Sequence, residues 1–376
     1  MKTILHIITG LSDGGAEGAL YRLCSYNEDK NIKHIVVSLT GKEKFYDLLI
    51  KKKIEVHLIN MKTGISFVIS IFKLYFLIKK IRPSVVQTWM YHADLFGGVL
   101  AKLAGVKNIV WGIRQSDHGE GVKLATRLVT KLCAKLSKFV PSVIVSCADS
   151  AAEVHKNFGY DAEKFQVIYN GYDLQKFLPN NKERVSIRND LHVDDYDVLI
   201  GMVGRYHPQK DHNNFLQAVA ILKSHNVKFH CLLVGTECIE NNSVLMNTIC
   251  SMDIKDKVSL LGRQENICGL MNALDIHILS SAYGEGFPNV IAEAMSCGTP
   301  CVVTDVGDSS QIVGENGIVV PKCDSKLLAD AIIKMIDKLS RDTDGSIGDA
   351  ARNRILNNFS IENMSNEFIA LYESMY

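Results

Sequence analysis

Short apolar runs, alternating along the whole chain with stretches of helical periodicity, fix its fold class before any single residue is considered. In the first half they span 3–8, 34–39, 55–59, 85–88, 109–112, 142–146 and 166–169. In the second half they span 198–203, 228–234, 257–261, 276–280, 301–304 and 317–319. Most are continuous Val/Ile/Leu runs rather than strict alternations, the signature of strands buried on both faces. Strand and helix in alternation mean α/β architecture: doubly wound parallel sheets with helices on either side. At 376 residues the chain has room for two such domains, at roughly 150 residues each. Asn170-Gly171-Tyr172-Asp173, then Pro179-Asn180-Asn181-Lys182, interrupt the pattern before it restarts at Val198. The expected division is 1–175, 176–358 and a terminal helix, 359–376. Carboxyl strand ends of the two domains are expected to face one another across a cleft. Ser360 suits the start of the last helix, which lines up Ile361, Met364, Phe368, Leu371, Tyr372 and Met375 and is expected to pack across the junction.

Composition narrows the function. The formal net charge is +1, so no global electrostatic attraction to nucleic acid exists. Ten cysteines without Cys-x-x-Cys pairs suit a reducing cytosol, not a disulfide framework or a zinc site. The amino end reads as a first strand interrupted by His6, not as a signal peptide. Residues 65–78 are the most apolar segment, but Lys73 breaks them and they fall short of the ~20 needed to span a bilayer.

Three stretches carry chemistry. The first is 279–303, where Glu285 and Glu293 flank the start of a short helix. Pro288 is expected at its first position, Val290, Ile291, Ala294 and Met295 form its apolar stripe, and Gly298-Thr299-Pro300 stops it. Glu285 and Gly286 then lie above a strand's carboxyl end, where open α/β sheets bind ligands and free helix amides attract phosphate. Glu293 falls about 8 Å along the axis, within reach of hydroxyls on the same ligand. The second stretch, Gly204-Arg205 to Lys210-Asp211, offers a guanidinium fork and an ammonium at another strand end. That pair suits a diphosphate leaving group, or else is a pair of solvated cations. The third is the Gly10–Glu17 loop, either a tight turn or a phosphate contact. It lacks both Gly-x-Gly-x-x-Gly and a P-loop lysine, which disfavours a dinucleotide dehydrogenase. Paired glutamates also suggest glycoside hydrolysis, but neighbouring cations oppose the raised pKa that a general acid needs.

Arg205-x4-Lys210, Glu285-x7-Glu293 with Gly-Phe-Pro-Asn inside it, the Gly14-Gly15 loop and Asn170-Gly171-x-Asp173 together resemble the retaining glycosyltransferases of family 4. The resemblance covers nearly the whole chain and implies the GT-B fold. It implies that Glu293 holds the nucleotide ribose and Glu285 the donor sugar, with Gly286, Phe287, Pro288 and Asn289 framing the diphosphate. Beside Gly204, Arg205 and Lys210 would neutralise that diphosphate, and Gly15 would touch it from the other domain. Glu285, Arg205 and Lys210 would carry catalysis through front-face attack, with no metal, no cofactor and no strong general base. The co-substrate would be a UDP- or GDP-linked sugar, and the acceptor a surface polysaccharide or lipid-linked oligosaccharide.

Two departures stand out. Arg114, followed by Gln115, Ser116, Asp117 and His118, occupies the region where many members carry a histidine, so His92, Arg114 and Asp117 are the acceptor-side candidates. Gly235-Thr-Glu-Cys replaces the family's frequent Gly-x-Gly-Pro. In 121–139, Lys123, Arg127, Lys131 and Lys135 form a basic ridge beside a line of leucines. Either the leucines are packed inward and the ridge is solvated, or the helix rests on an anionic leaflet. The expected location is the cytoplasm, with peripheral attachment to the inner face of the membrane. A nucleotide-sugar epimerase or hydrolase, or a non-catalytic sugar-nucleotide-binding protein, are the competing readings.

Overall fold

Every one of these apolar runs is a strand in the computed structural model, which describes residues 2–26, 31–61, 64–115, 124–193 and 197–376. The first sheet contains β1 (Lys2–Ile8), β2 (Ile32–Ser38), β3 (Glu55–Leu58), β4 (Val85–Trp89), β5 (Ile109–Ile113), β6 (Val143–Ser146) and β7 (Phe165–Val167). The second contains β8 (Val198–Val203), β9 (Phe229–Val234), β10 (Val258–Gly262), β11 (Ile276–Leu279), β12 (Cys301–Thr304) and β13 (Ile318–Val320). The strand orders are β3-β2-β1-β4-β5-β6-β7 and β10-β9-β8-β11-β12-β13, and neighbouring strands are parallel. Each sheet therefore reverses its winding once, between β1 and β4 and between β8 and β11. Crossovers leave such a point toward opposite faces, which opens a crevice at the carboxyl ends of those two strands.

The chain divides into two units, Met1–Gly171 with Ile361–Tyr376, and Tyr172–Ser360. The boundary precedes the expected residue 175 because Tyr172 is built into the second unit. Its amide donates to Phe359 O at 2.9 Å and its ring stacks on Phe287. Phe359 packs on Phe287 as well, and the final helix runs Ile361–Glu373, directly after Ser360 as its apolar line predicts. That helix belongs to the first unit. Its Met364, Phe368, Leu371 and Tyr372 are buried with Ile4, Ile8 and Trp89, and the Phe368 ring lies 6.2 Å from that of Trp89. The second core gathers Ile200, Phe215, Leu233, Ile278 and Val302 around β8 and its neighbours.

One helix departs from the ordinary pattern. Ile65–Ile81 follows Gly64 and ends at Arg82, whose left-handed backbone and the following Pro83 stop it. It buries Ser70, Leu74 and Ile78, and leaves Ile65, Val68, Ile69, Phe72 and Phe76 exposed. Among the described residues no helix is long and apolar enough to cross a membrane.

Candidate functional site

The second unit brings two of the three sequence stretches to one place. The loop after β8 and the loop after β11 meet at the switch point, tied by Ala282 N–H donating to Gln209 O at 2.9 Å and Gln209 Nε2 donating to Gly284 O at 3.0 Å. Ser280 Oγ donates to Lys210 O at 2.9 Å. On this frame Lys210 Nζ lies 2.6 Å from Glu285 Oε1, and Ser281 Oγ donates to the same oxygen at 2.7 Å. The Lys210 and Glu285 side chains are only 15% and 8% exposed, which removes the reading of this lysine as a solvated surface cation. One ammonium has three donors, so two remain for another acceptor. Arg205, on the same loop, is exposed. Beneath them His212 and His277 are held neutral, at about 4 and about 3, by burial first and by the Lys210 charge second.

The helix after this loop is Asn289–Ser296, with Pro288 as its cap residue, one place earlier than expected. No side chain caps it, and within its first turn Ile291 N–H donates to Pro288 O at 3.2 Å. Glu293 is half-buried in the second turn. The Phe287 side chain is turned into the core. Its ring is buried between Tyr172 and Phe359, and Tyr172 Oη donates to Asn289 Oδ1, so both residues anchor the loop. Gly286 is pinned through its carbonyl, which accepts from Asp308 N–H at 2.9 Å. Two glycines, Gly307, which no motif singled out, and Gly235, make these approaches possible. A Cβ on Gly307, at φ +63°, would lie 2.4 Å from Glu285 O. One on Gly235, at φ +149°, would lie 2.1 Å from Gly204 O. Gly235 is thus required by backbone contact even though the motif around it is incomplete. Ser281 and Tyr172 were also missed; the only sequence signal was their adjacency to the quoted motifs.

In the first unit the switch point is lined by the loop after β1 and the segment after β4. Gly15 opens the helix Gly15–Ser25 with Gly14 as cap. The surroundings are acidic: Glu43 Oε2 accepts the Leu11 amide at 2.6 Å, and Ser12 Oγ donates to Glu17 Oε1 at 3.0 Å. Burial, aided by Glu43 and Asp13, raises the Glu17 carboxyl above its ordinary range. After β4, Met90 adopts φ +74°, a strained value for a residue with a side chain, and a π-helical turn runs Ala93–Gly98. His92 is half-buried at its start, and burial lowers its pKa. Asp94 is buried, with Oδ1 accepting from Thr88 Oγ1 at 2.6 Å and from Gly112 N–H at 3.2 Å. Arg114 turns its guanidinium inward, 4.1 Å from the Trp89 ring centroid, with Nη1 donating to Asn170 Oδ1 at 3.1 Å. It braces β5 against the terminal helix. Asp117 and Lys123 lie outside the described residues.

His6, Cys24 and His34 place their ligand-type atoms within 4.8 Å of one another, the one such group of three among the described residues. Hydrogen bonding already uses both His6 nitrogens and His34 Nδ1. Trp89 Nε1 donates to His6 Nδ1 at 3.2 Å, which puts the His6 proton on Nε2, 2.8 Å from His34 Nδ1. A metal would have to break that chain, and burial keeps the Cys24 thiol protonated.

Arg127, Lys131 and Lys135 lie exposed along the helix Leu124–Leu136. Its inward side is Thr130, Cys133 and Ala134, and Leu124, Leu128 and Leu132 are exposed. The packed-leucine alternative therefore fails for these three, while Leu136 is half-buried.

The profile of glycosyltransferase family 4 matches residues 13–176, and that of glycosyl transferases group 1 matches residues 197–338. An Escherichia coli relative, UDP-Gal:alpha-D-GlcNAc-diphosphoundecaprenol alpha-1,3-galactosyltransferase, is 28% identical over 321 residues, 81% of this chain and 79% of its own. The Staphylococcus aureus capsular polysaccharide biosynthesis glycosyltransferase CapM is 27% identical over 359 residues, 92% of this chain and 90% of its own. Among solved structures, Anabaena HepE in complex with UDP superposes with a TM-score of 0.85 at 21% identity, covering 100% of both chains. WaaG, a glycosyltransferase involved in lipopolysaccharide biosynthesis, gives 0.69 at 13% identity, covering 98% of this chain and 99% of its own. These likenesses agree with the strand orders above on the fold class.

Proposed function

The chain belongs to the family 4 glycosyltransferases, and from that premise we propose that it moves a sugar from a UDP- or GDP-linked donor to an acceptor hydroxyl with retention and without a metal. The observation that carries this reading is the Lys210–Glu285–Ser281 cluster at the β8/β11 switch point, beside an uncapped helix start. The diphosphate lies at the positive end of this helix, with Arg205 and the spare Lys210 donors on its oxygens. Glu285 accepts from hydroxyls of the donor sugar and Glu293 from the ribose. The bond between the anomeric carbon and the phosphate oxygen breaks, and its electron pair leaves with the diphosphate, whose charge the two cations offset. The acceptor oxygen bonds to the same face, and its proton passes to the departing phosphate oxygen.

The names of the relatives support a surface polysaccharide or lipid-linked oligosaccharide as acceptor. The exposed ridge of Arg127, Lys131 and Lys135 supports peripheral attachment at the cytoplasmic leaflet, each cation contributing about 1 kcal/mol near an anionic surface. Thermal-shift screening against UDP-, GDP- and ADP-sugars, followed by NMR of the product's anomeric configuration, tests the reading. One donor series should stabilise the chain and yield an acceptor product of unchanged configuration. Free nucleotide without a glycosylated product, or binding without turnover, would overturn it.

A further inference from the structure

We propose that the outward face of the helix Ile65–Ile81 inserts into the acyl boundary of an anionic bilayer. This shares a membrane with the reading above but stands on another element and another force, so the two can fail separately. Ile65, Val68, Ile69, Phe72 and Phe76 recur at helical spacing on the side away from the core, from 53% exposed at Val68 to 82% at Ile65. The stripe runs about 16 Å along the axis at 1.5 Å per residue. Scattered apolar residues are normal at a surface; a continuous stripe of aromatic and branched side chains marks something that covers it. Lys73, the one charge in the middle, donates its ammonium back to Leu58 O at 2.9 Å. It therefore leaves the apolar front uninterrupted. Lys79 and Lys80 flank the far end, where headgroups would lie.

The surface continues. Ile65–Ile81 packs against the helix Val99–Leu103, and Leu124–Leu136 packs against the π-helical turn Ala93–Gly98 that runs directly into it. The three segments adjoin, with Leu103 exposed among them and Leu124 and Leu128 beyond. Charge selects the occupant. Over 64–115 and 124–148 every exposed charged side chain is lysine or arginine, and the one carboxylate, Asp94, is buried. A second copy would oppose like charges across such a face; an anionic leaflet complements both the apolar stripe and its basic border.

The test uses the full chain on phosphatidylcholine vesicles with and without phosphatidylglycerol. Phe72→Ser with Phe76→Ser changes only exposed side chains, and circular dichroism checks the fold. This pair is expected to weaken vesicle binding at least ~10-fold, with the loss persisting at high salt. Phe72→Trp adds a reporter, because Trp89 and Trp111 are fully buried. Its emission should shift blue on vesicles and be quenched by brominated acyl chains. Wild-type binding by the Phe72/Phe76 double variant, or an unquenched reporter, overturns insertion. If Glu substitutions at Arg127, Lys131 and Lys135 alone abolish binding, the ridge stands and insertion falls. Lipid-free self-association that the double variant removes would assign the face to a second copy instead.

Discussion

At Glu285 two donors share one oxygen, and that economy decides what its loss would do. Glu285→Ala strands the Lys210 ammonium in a sheltered place and, on the proposed function, removes the acceptor offered to the donor sugar. Transfer should fall by about 10²–10³-fold, the cost of removing one preorganised polar contact. Stability should fall by about 1–3 kcal/mol, read from initial rates and urea unfolding. Lys210→Ala should cost a similar factor, and the double variant little more than either alone, because the two act as one unit. A folded Glu285→Ala protein with near-normal turnover would strip that residue of its role. These residues were legible because charged types at strand ends after β8 and β11 have few structural duties. Asp94 was not legible, since nothing but the π-helical turn closing over it explains its behaviour. Burial pushes its carboxyl up to about 8, against the bonds from Thr88 and Gly112 and the Arg114 charge. The folded state keeps this proton up to about pH 8, and the unfolded chain loses it near 3.9. Folded protein thus binds more protons in that window, and the contribution of Asp94 to stability falls as pH rises through it. Asp94→Asn should flatten the decline in melting temperature between pH 5 and pH 8; an unchanged slope would refute the assignment.

Among the elements, the terminal helix was the most legible and the basic helix the least. The periodic line Ile361, Met364, Phe368, Leu371 and Tyr372 is the face that is buried, since a helix with one apolar side has one way to satisfy it. In Leu124–Leu136 the same logic points the wrong way. Leu124, Leu128 and Leu132 are outside, and the small residues Thr130, Cys133 and Ala134 allow close approach to the turn beneath. Ile65–Ile81 misleads similarly, because a helix apolar on both sides carries no mark of which side is inward. Strand existence was legible throughout, with ends displaced by a residue or two where flanking residues join the ladder, as at Ile32 and Lys33 of β2. A direct check on the terminal helix is Phe368→Ala, which removes a fully buried ring lying against Trp89 and should cost about 3–5 kcal/mol. Both tryptophans, Trp89 and Trp111, belong to the first unit, so their fluorescence follows its unfolding. The loss should appear there.

Across the whole molecule, a net charge of +1 conceals two stretches of the first unit, 64–115 and 124–148, whose exposed charges are all positive. An average taken over two units says little about either one, so excluding an electrostatic partner from the total holds only for the total. The chain's path has a further consequence. It leaves the first unit at Gly171, builds all of Tyr172–Ser360, and returns with Ile361–Tyr376. On the ribosome, then, the half made first cannot close its core until the half made second has been synthesised. At ~5–20 residues per second that delay is roughly 10–40 s. Throughout it the groove around Trp89 that Phe368 and Tyr372 will fill stays open. The order of birth is reversed in the order of completion, and the nascent first half is the stage at which a chaperone has most to protect.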